Sequence, residues 1–236
     1  MSHVVRRLDW GVIDLDTVAG RIFFQQTWFY DWQVVSPVSP WTLAEKQAFH
    51  HALDRQVWGH WSMRFQFVPH GATDFARRFV HGIPINLDIK WVTRPGSFTV
   101  NVVKRPGPVD HSIRPWVNFT TKVIQLSKWD TSSYTAVNAA SASSPKPFQP
   151  LPHEFGHALG TANDDEYAAG HANLGDTNSI MNIGSQVRAR HLESIRGELN
   201  AMMPGVTFTV AGPHHGHGHG HGHSHGIGHG AAHAHH

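Results

Sequence analysis

Two histidines four positions apart, His153 and His157, with Glu154 beside the first, constrain this chain more than any other feature. They form an H-E-x-x-H pattern whose two imidazoles share a face only on a helix, because positions i and i+4 are neighbours there. Both rings then reach a single ion, and the intervening glutamate sits beside an ion-bound water and takes its proton. The chemistry this arrangement points to is metal-dependent hydrolysis of a peptide bond. The pattern alone also arises in ordinary amphipathic helices with a buried histidine, so the rest of the chain has to support it.

The chain has 236 residues, 40% of them hydrophobic, enough for one substantial core or two small ones. Composition changes sharply after Gly212. Eleven of the 22 histidines fall in residues 213–236, which are otherwise mostly glycine and alanine. Such a segment lacks the side chains for a core and predicts a disordered tail, leaving residues 1–212 as the folded domain. The formal net charge is +2 and there is no long basic run, which argues against nucleic acid as a partner. There is no cysteine, so disulfides and thiolate metal sites are excluded. No stretch reaches the roughly 18–20 apolar residues of a membrane span. No signal-peptide pattern opens the chain, which predicts a cytoplasmic protein or one exported by a non-classical route.

Patterning predicts an α+β or α/β fold. Residues 1–40 are rich in aromatics and read as a packed lead-in with short strands. Thr42 and Glu45 form a capping box that opens a helix running to about Trp58, with Ala44, Ala48, Phe49, Ala52, Leu53 and Val57 at helical spacing. Alternation predicts strands over 63–67, 87–91, 98–103 and 117–126. Residues 134–150 read as a loop, and the motif helix follows over 151–159. A polar loop over 161–178, a helix over 187–203 with Leu192, Ile195, Leu199 and Met202 on one face, and a short strand over 206–210 complete the order.

Three further features strengthen the metal reading. Gly160 stands where a left-handed turn would swing the chain back toward the ion. Asp164, Asp165 and Glu166 follow and offer a third ligand oxygen. Ser179-Ile180-Met181-Asn182 could place a methionine in a tight turn, as an apolar floor under the ligands. Together H-E-F-G-H-x-x-G, an acidic group with D-E-Y, and S-I-M resemble the metzincin clan of zinc endopeptidases, and within it a bacterial subgroup with an aspartate as third ligand. The resemblance covers mainly residues 151–183. It implies an α+β fold, with a twisted, mixed, mostly parallel sheet, a backing helix and an active-site helix, and a small C-terminal subdomain with the Met-turn and a last helix. It implies one catalytic Zn²⁺ on His153 and His157, Glu154 as general base, and Met181 as the Met-turn residue.

The third ligand departs from the family spacing. That spacing falls on Asn163, a neutral and poor zinc ligand. Aligning on D-E-Y makes Asp165 the ligand, with Asp164 the next choice and Asn163 last. The tyrosine that many metzincins carry two residues after the methionine is Ile183 here. Oxyanion stabilisation then falls to zinc, with Tyr167 as a possible oxyanion or structural support.

Other residues carry milder readings. His50 and His51 are adjacent and face different directions, which suits exposed or core histidines better than ligands. Arg188, Arg190 and His191 read as a solvated face or as salt-bridge partners of Asp164, Asp165 or Glu166. Trp58, Trp61 and Trp129 are candidates to line a cleft, and residues 117–126 to pair with an extended substrate. The histidine-rich tail would bind further Zn²⁺ or Ni²⁺. The predicted partner is a protein or peptide substrate; the competing reading is a zinc-buffering protein with an inactive peptidase-like domain.

Overall fold

The chain opens with a hairpin, β1 (His3–Leu8) and β2 (Gly11–Asp16), and runs into β3 (Arg21–Val34), a 14-residue strand around which the sheet is organised. The computed structural model describes residues 2–107, 110, 113–138, 144–160 and 165–212. Asn163, Asp164 and the histidine-rich segment 213–236 lie outside the described residues. After β3 come α1 (Leu43–Trp61), β4 (Gln66–His70), α2 (Asp74–Arg78), β5 (Ile83–Val92), β6 (Phe98–Lys104), β7 (Trp116–Asn118) and β8 (Val123–Ser127). Then follow β9 (Tyr134–Ala136), β10 (Lys146–Phe148), α3 (Pro150–Ala158), a 3-10 turn (Ala189–Leu192), α4 (Glu193–Met202) and β11 (Thr207–Ala211).

The main sheet has the order β11-β4-β5-β3-β6-β8-β7. Its four central strands, β5, β3, β6 and β8, run parallel, and both margins are antiparallel. β5 pairs with Ile22–Phe29 along one edge of β3, so β2 and β6 must share the other edge, β2 against Arg21–Gln25 and β6 against Trp28–Val34. The fold is therefore α+β with a mixed, mostly parallel central sheet.

One face of the sheet carries the core. Along β3, Ile22, Phe24, Gln26, Trp28 and Tyr30 are buried, while Phe23, Gln25, Thr27 and Phe29 on the opposite face are more open. α1 lays Phe49, Leu53, Val57 and Trp61 on the core as a stripe of every fourth residue, and packs on both β5 and α3. Each such large apolar side chain contributes about 1.5–3 kcal/mol when removed from water. The capping box of α1 forms as expected: Thr42 accepts from the Glu45 backbone, and Glu45 accepts from the Thr42 backbone. Ala44 and Ala48, however, are exposed, because the bulky positions set the buried stripe.

Several expectations need correction. Met63 has a left-handed φ of 59° and is exposed, so the strand starts at Gln66 and runs to His70. Residues 117–126 are two antiparallel strands, β7 and β8, joined through Lys122 at φ 57°. The Ser- and Ala-rich stretch 134–150 contains the β9–β10 pair. The aromatic lead-in holds one long strand in addition to short ones. The last helix begins as the 3-10 turn and becomes α-helical only at Glu193. Of the three tryptophans considered for a cleft, Trp61 is fully buried in the core.

Candidate metal centre

All nine residues of α3 are buried, so this helix is enclosed and not amphipathic. Enclosure demands partners for its end groups. Gln26, buried on the core face of β3, donates from Nε2 to the Ala158 carbonyl at 2.7 Å, and its Oε1 accepts from Trp28 Nε1 at 3.0 Å. Trp61 Nε1 donates to the Pro152 carbonyl at 2.9 Å. Gly160 ends the segment at φ 90°, where a Cβ would lie 2.9 Å from Ser194 Oγ. A glycine is needed there for both the turn and the space.

The structure brings three ligand-capable atoms together. His157 Nε2 lies 3.2 Å from His153 Nε2 and 3.1 Å from Asp165 Oδ1, and His153 Nε2 lies 3.3 Å from the same oxygen. His153 Nδ1 is 2.7 Å from the Ile180 carbonyl, which can only accept, so Nδ1 carries the proton. In the neutral ring Nε2 is then a lone pair aimed at a carboxylate. Such a cluster of acceptors requires a cation or a proton at its centre. Zinc bonds of about 2.0–2.1 Å in a tetrahedron place donor atoms about 3.3–3.4 Å apart, close to the observed spacing. His153, His157 and Asp165 thus form a group that could hold a metal ion.

Further contacts fix each member. Phe148 meets the His153 ring edge-on at 5.1 Å, and Tyr167 stacks on it at 5.9 Å. The Tyr167 hydroxyl also hydrogen-bonds Asp165. Tyr167 therefore touches two members of the group. Met181 is wholly buried, and a Cβ on Gly156 would fall 2.2 Å from its Sδ. The methionine lies against α3 at Gly156. Its turn is closed by Asn182 N and Gly184 N donating to the Ser179 carbonyl.

Asp165 is placed by its neighbour. Glu166 N donates to the Met181 carbonyl at 2.9 Å, and Asn182 Nδ2 donates to the Glu166 carbonyl at 3.3 Å. The buried Glu166 carboxylate accepts a fork from Arg190 at 2.6 and 2.8 Å. His191 Nδ1 accepts from the Arg188 backbone, so its Nε2 is the donor to Glu166 at 3.3 Å. Arg188 pairs with Asp176 instead. The basic group at 188–191 thus serves as salt-bridge partners, with Glu166 and Asp176 as the acids.

Glu154 is 4% exposed, and its Oε2 is enclosed without a hydrogen bond. Burial raises its carboxyl above the ordinary range, against the lowering pull of His153 and His157. Burial alone would also raise Asp165; the two imidazoles outweigh it and hold that carboxyl far below. Glu154 and His153 open on a cleft of ≈ 290 Å³ walled by Arg114, Tyr134, Val137, Phe148 and Ile183 among others. None of Trp58, Trp61 and Trp129 lines it. A larger cleft of ≈ 920 Å³ beside Arg55, His60 and Arg64 contains none of the metal-ligating candidates.

Gln26, Asn182, Arg114 and Tyr134 escape sequence reasoning. Buried polar groups such as Gln26 interrupt an apolar pattern without declaring a partner. Arg114 and Tyr134 reach the cleft only through tertiary folding. His50, by contrast, is half-buried against Trp91 and bonded to the Tyr30 hydroxyl, an ordinary packed histidine as expected. No family model, curated protein or solved structure matches the chain.

Proposed function

We propose that the chain is a zinc-dependent endopeptidase of metzincin type, with Glu154 as its general base. The observation that carries this reading is the convergence of His153 Nε2, His157 Nε2 and Asp165 Oδ1 beside the enclosed, unpartnered Oε2 of Glu154. Two imidazoles and one carboxylate are a catalytic zinc donor set that leaves a position open. The ion, when bound, supplies Lewis-acid polarisation and brings the pKa of a water to about 7.

The remaining steps belong to the protein. Glu154 accepts the proton of the attacking water and returns it to the leaving amine, a task suited to a carboxyl whose proton affinity burial has increased. The Ile180 carbonyl holds His153 in the tautomer that presents Nε2. Among the described residues β7, at the end of the sheet, pairs on one edge only, with β8, and its other edge is available for an extended peptide to pair with by backbone hydrogen bonds. That edge narrows the expected substrate strand, residues 117–126, to β7. The packing of the Met181 turn against α3 supports reading it as the Met-turn that the sequence resemblance implies.

The test compares the full chain with Glu154→Gln and with the double variant His153→Ala/His157→Ala. After a chelator wash the double variant should hold one fewer tightly bound zinc than wild type, a difference in which the histidine-rich tail cancels. Glu154→Gln should keep its zinc and cleave casein at least about 100-fold more slowly. A zinc-buffering protein would instead show no cleavage to lose. Equal zinc in wild type and double variant would end the metal-centre reading.

A further inference from the structure

The hydrolytic reading leaves one charged group of the cleft without a task. Among the described lining residues, Arg114 is the one cation and Glu154 the one carboxylate. Arg114 stands just before β7, and Arg114, Trp116 and Asn118 alternate as the exposed positions with half-buried Pro115 and Val117. It forms no hydrogen bond or ion pair with any of the described residues. Burial raises the hydroxyl pKa of both Tyr134 and Tyr167, and the nearby Arg114 charge opposes that rise.

The surroundings favour one kind of visitor. Pro115, Ala136, Val137, Phe148 and Ile183 give the cleft apolar walls, which exclude water around a bound peptide. Glu154, at 4% exposure, is too enclosed to pair with Arg114 at the rim. An unpaired guanidinium presents a planar fork that matches a carboxylate with two parallel hydrogen bonds. Among the described lining residues the one carboxylate, Glu154, is enclosed, so the Arg114 charge in this cleft has no acid within that set to pair with.

We propose that Arg114 receives a carboxylate of the bound peptide, so that the site selects acidic substrates. The proposal rests on the peptidase reading and names its substrate class. The carboxylate comes either from an Asp or Glu side chain near the scissile bond or from the C-terminus of a short peptide.

The experiment uses the zinc-loaded full chain and labelled peptides identical except at one position, carrying Glu, Gln or Lys and ending in an amide. A fourth peptide carries Gln and ends in a free acid. Wild type should prefer a carboxylate-bearing peptide over the Gln amide by about 10- to 100-fold in kcat/KM, the range of a charge-assisted hydrogen bond. Preference for the Glu amide identifies the side chain as the source; preference for the free acid identifies the C-terminus. Arg114→Ala should abolish the preference, Arg114→Lys should restore part of it, and Arg114→Glu should turn it toward Lys. Equal kcat/KM for all four peptides in wild type, or an unchanged ratio in Arg114→Ala, overturns the proposal. If no peptide is cleaved, the peptidase reading fails by itself. Fluorescence-polarisation binding of the same peptides then decides on Arg114: an acidic preference lost in Arg114→Ala supports it, and equal affinities reject it.

Discussion

Gly156 and Met181 meet at a contact that only glycine permits. A Cβ at position 156 would lie 2.2 Å from Met181 Sδ and 3.1 Å from Trp61 Cζ2. The middle of the H-E-F-G-H segment is therefore shaped by what packs beneath it, and the methionine gains its place against the helix through the missing methyl group. Phe155, on the neighbouring position, points into the core against Trp28 and Trp61.

Gly156→Ala tests this contact. In a helix interior alanine is favoured over glycine by roughly 0.5–1 kcal/mol, so a neutral site would be stabilised. Here overpacking costs about 1–3 kcal/mol and wins. The variant should unfold at lower urea concentration than wild type and release zinc more readily. Adding Met181→Ala should recover part of the loss, giving a favourable coupling in a double-mutant cycle. Additive effects of the two changes would mean that the close approach does not govern the packing.

Glu166→Gln tests how Asp165 is held. Glu166 is almost fully buried and takes both a fork from Arg190 and the proton of His191. Removing the charge leaves Arg190 with Asp176 alone. Breaking a buried pair of this kind costs about 3 kcal/mol in denaturant unfolding. Because the Glu166 backbone is tied to Met181 and Asn182, the adjoining Asp165 should lose its fixed position as well, and zinc affinity should drop in a chelator competition. Loss of stability with unchanged zinc affinity would separate the ion pair from the metal site.

How much of this is legible in the sequence depends on the range of the interaction. The Thr42 capping box, the α3 boundaries, the left-handed Gly160 and the alternation of β5 and β6 are local, and local patterns declare them. The His153 and His157 pair is legible for the same reason: it lies within one helical turn. Asp165 is legible only as one of several acids, because its approach to the two imidazoles depends on how the chain after Gly160 folds back on α3. The strand in residues 63–67 is misplaced because Met63 takes a left-handed turn that no periodicity reveals. β7 and β8 look like one strand because the turn at Lys122 interrupts a continuous run of strand-forming residues. Gln26 and Asn182 are invisible as functional positions, since their role is to satisfy carbonyls brought to them by packing.

Tyr167→Phe isolates a support of the carboxylate. The ring that stacks on His153 remains, and only the hydroxyl bonded to Asp165 is removed. Partners of metal-ligating groups typically contribute 10–100-fold to metal affinity, so zinc should bind about 10-fold more weakly. Unfolding measured without metal should change little. If the variant binds zinc as tightly as wild type, the hydroxyl does not orient Asp165.

Asp130 gives the protein a pH dependence with a definite sign. It is 7% exposed. Burial, with a smaller push from the Glu154 charge, raises its carboxyl from 3.8 to about 7, although Ser127 N donates to its Oδ2 at 2.6 Å and lowers it in part. Between about pH 4 and 7 the folded protein therefore holds a proton that the unfolded chain has released. Stability then falls as pH rises through this window and levels off above about 7. A shift of this size corresponds to on the order of 4 kcal/mol. Asp130→Asn keeps an amide oxygen for the Ser127 N–H and carries no charge. It should match wild type near pH 4 and exceed its stability at pH 8 by roughly 2–4 kcal/mol in urea unfolding. Taking the difference between the two proteins cancels the contribution of carboxyls that do not interact with Asp130, and leaves the smaller effect of its coupling to Glu154. A difference that stays constant from pH 4 to 8 would show that Asp130 is ionised in the folded protein throughout, and that the turn after β8 accommodates the charge.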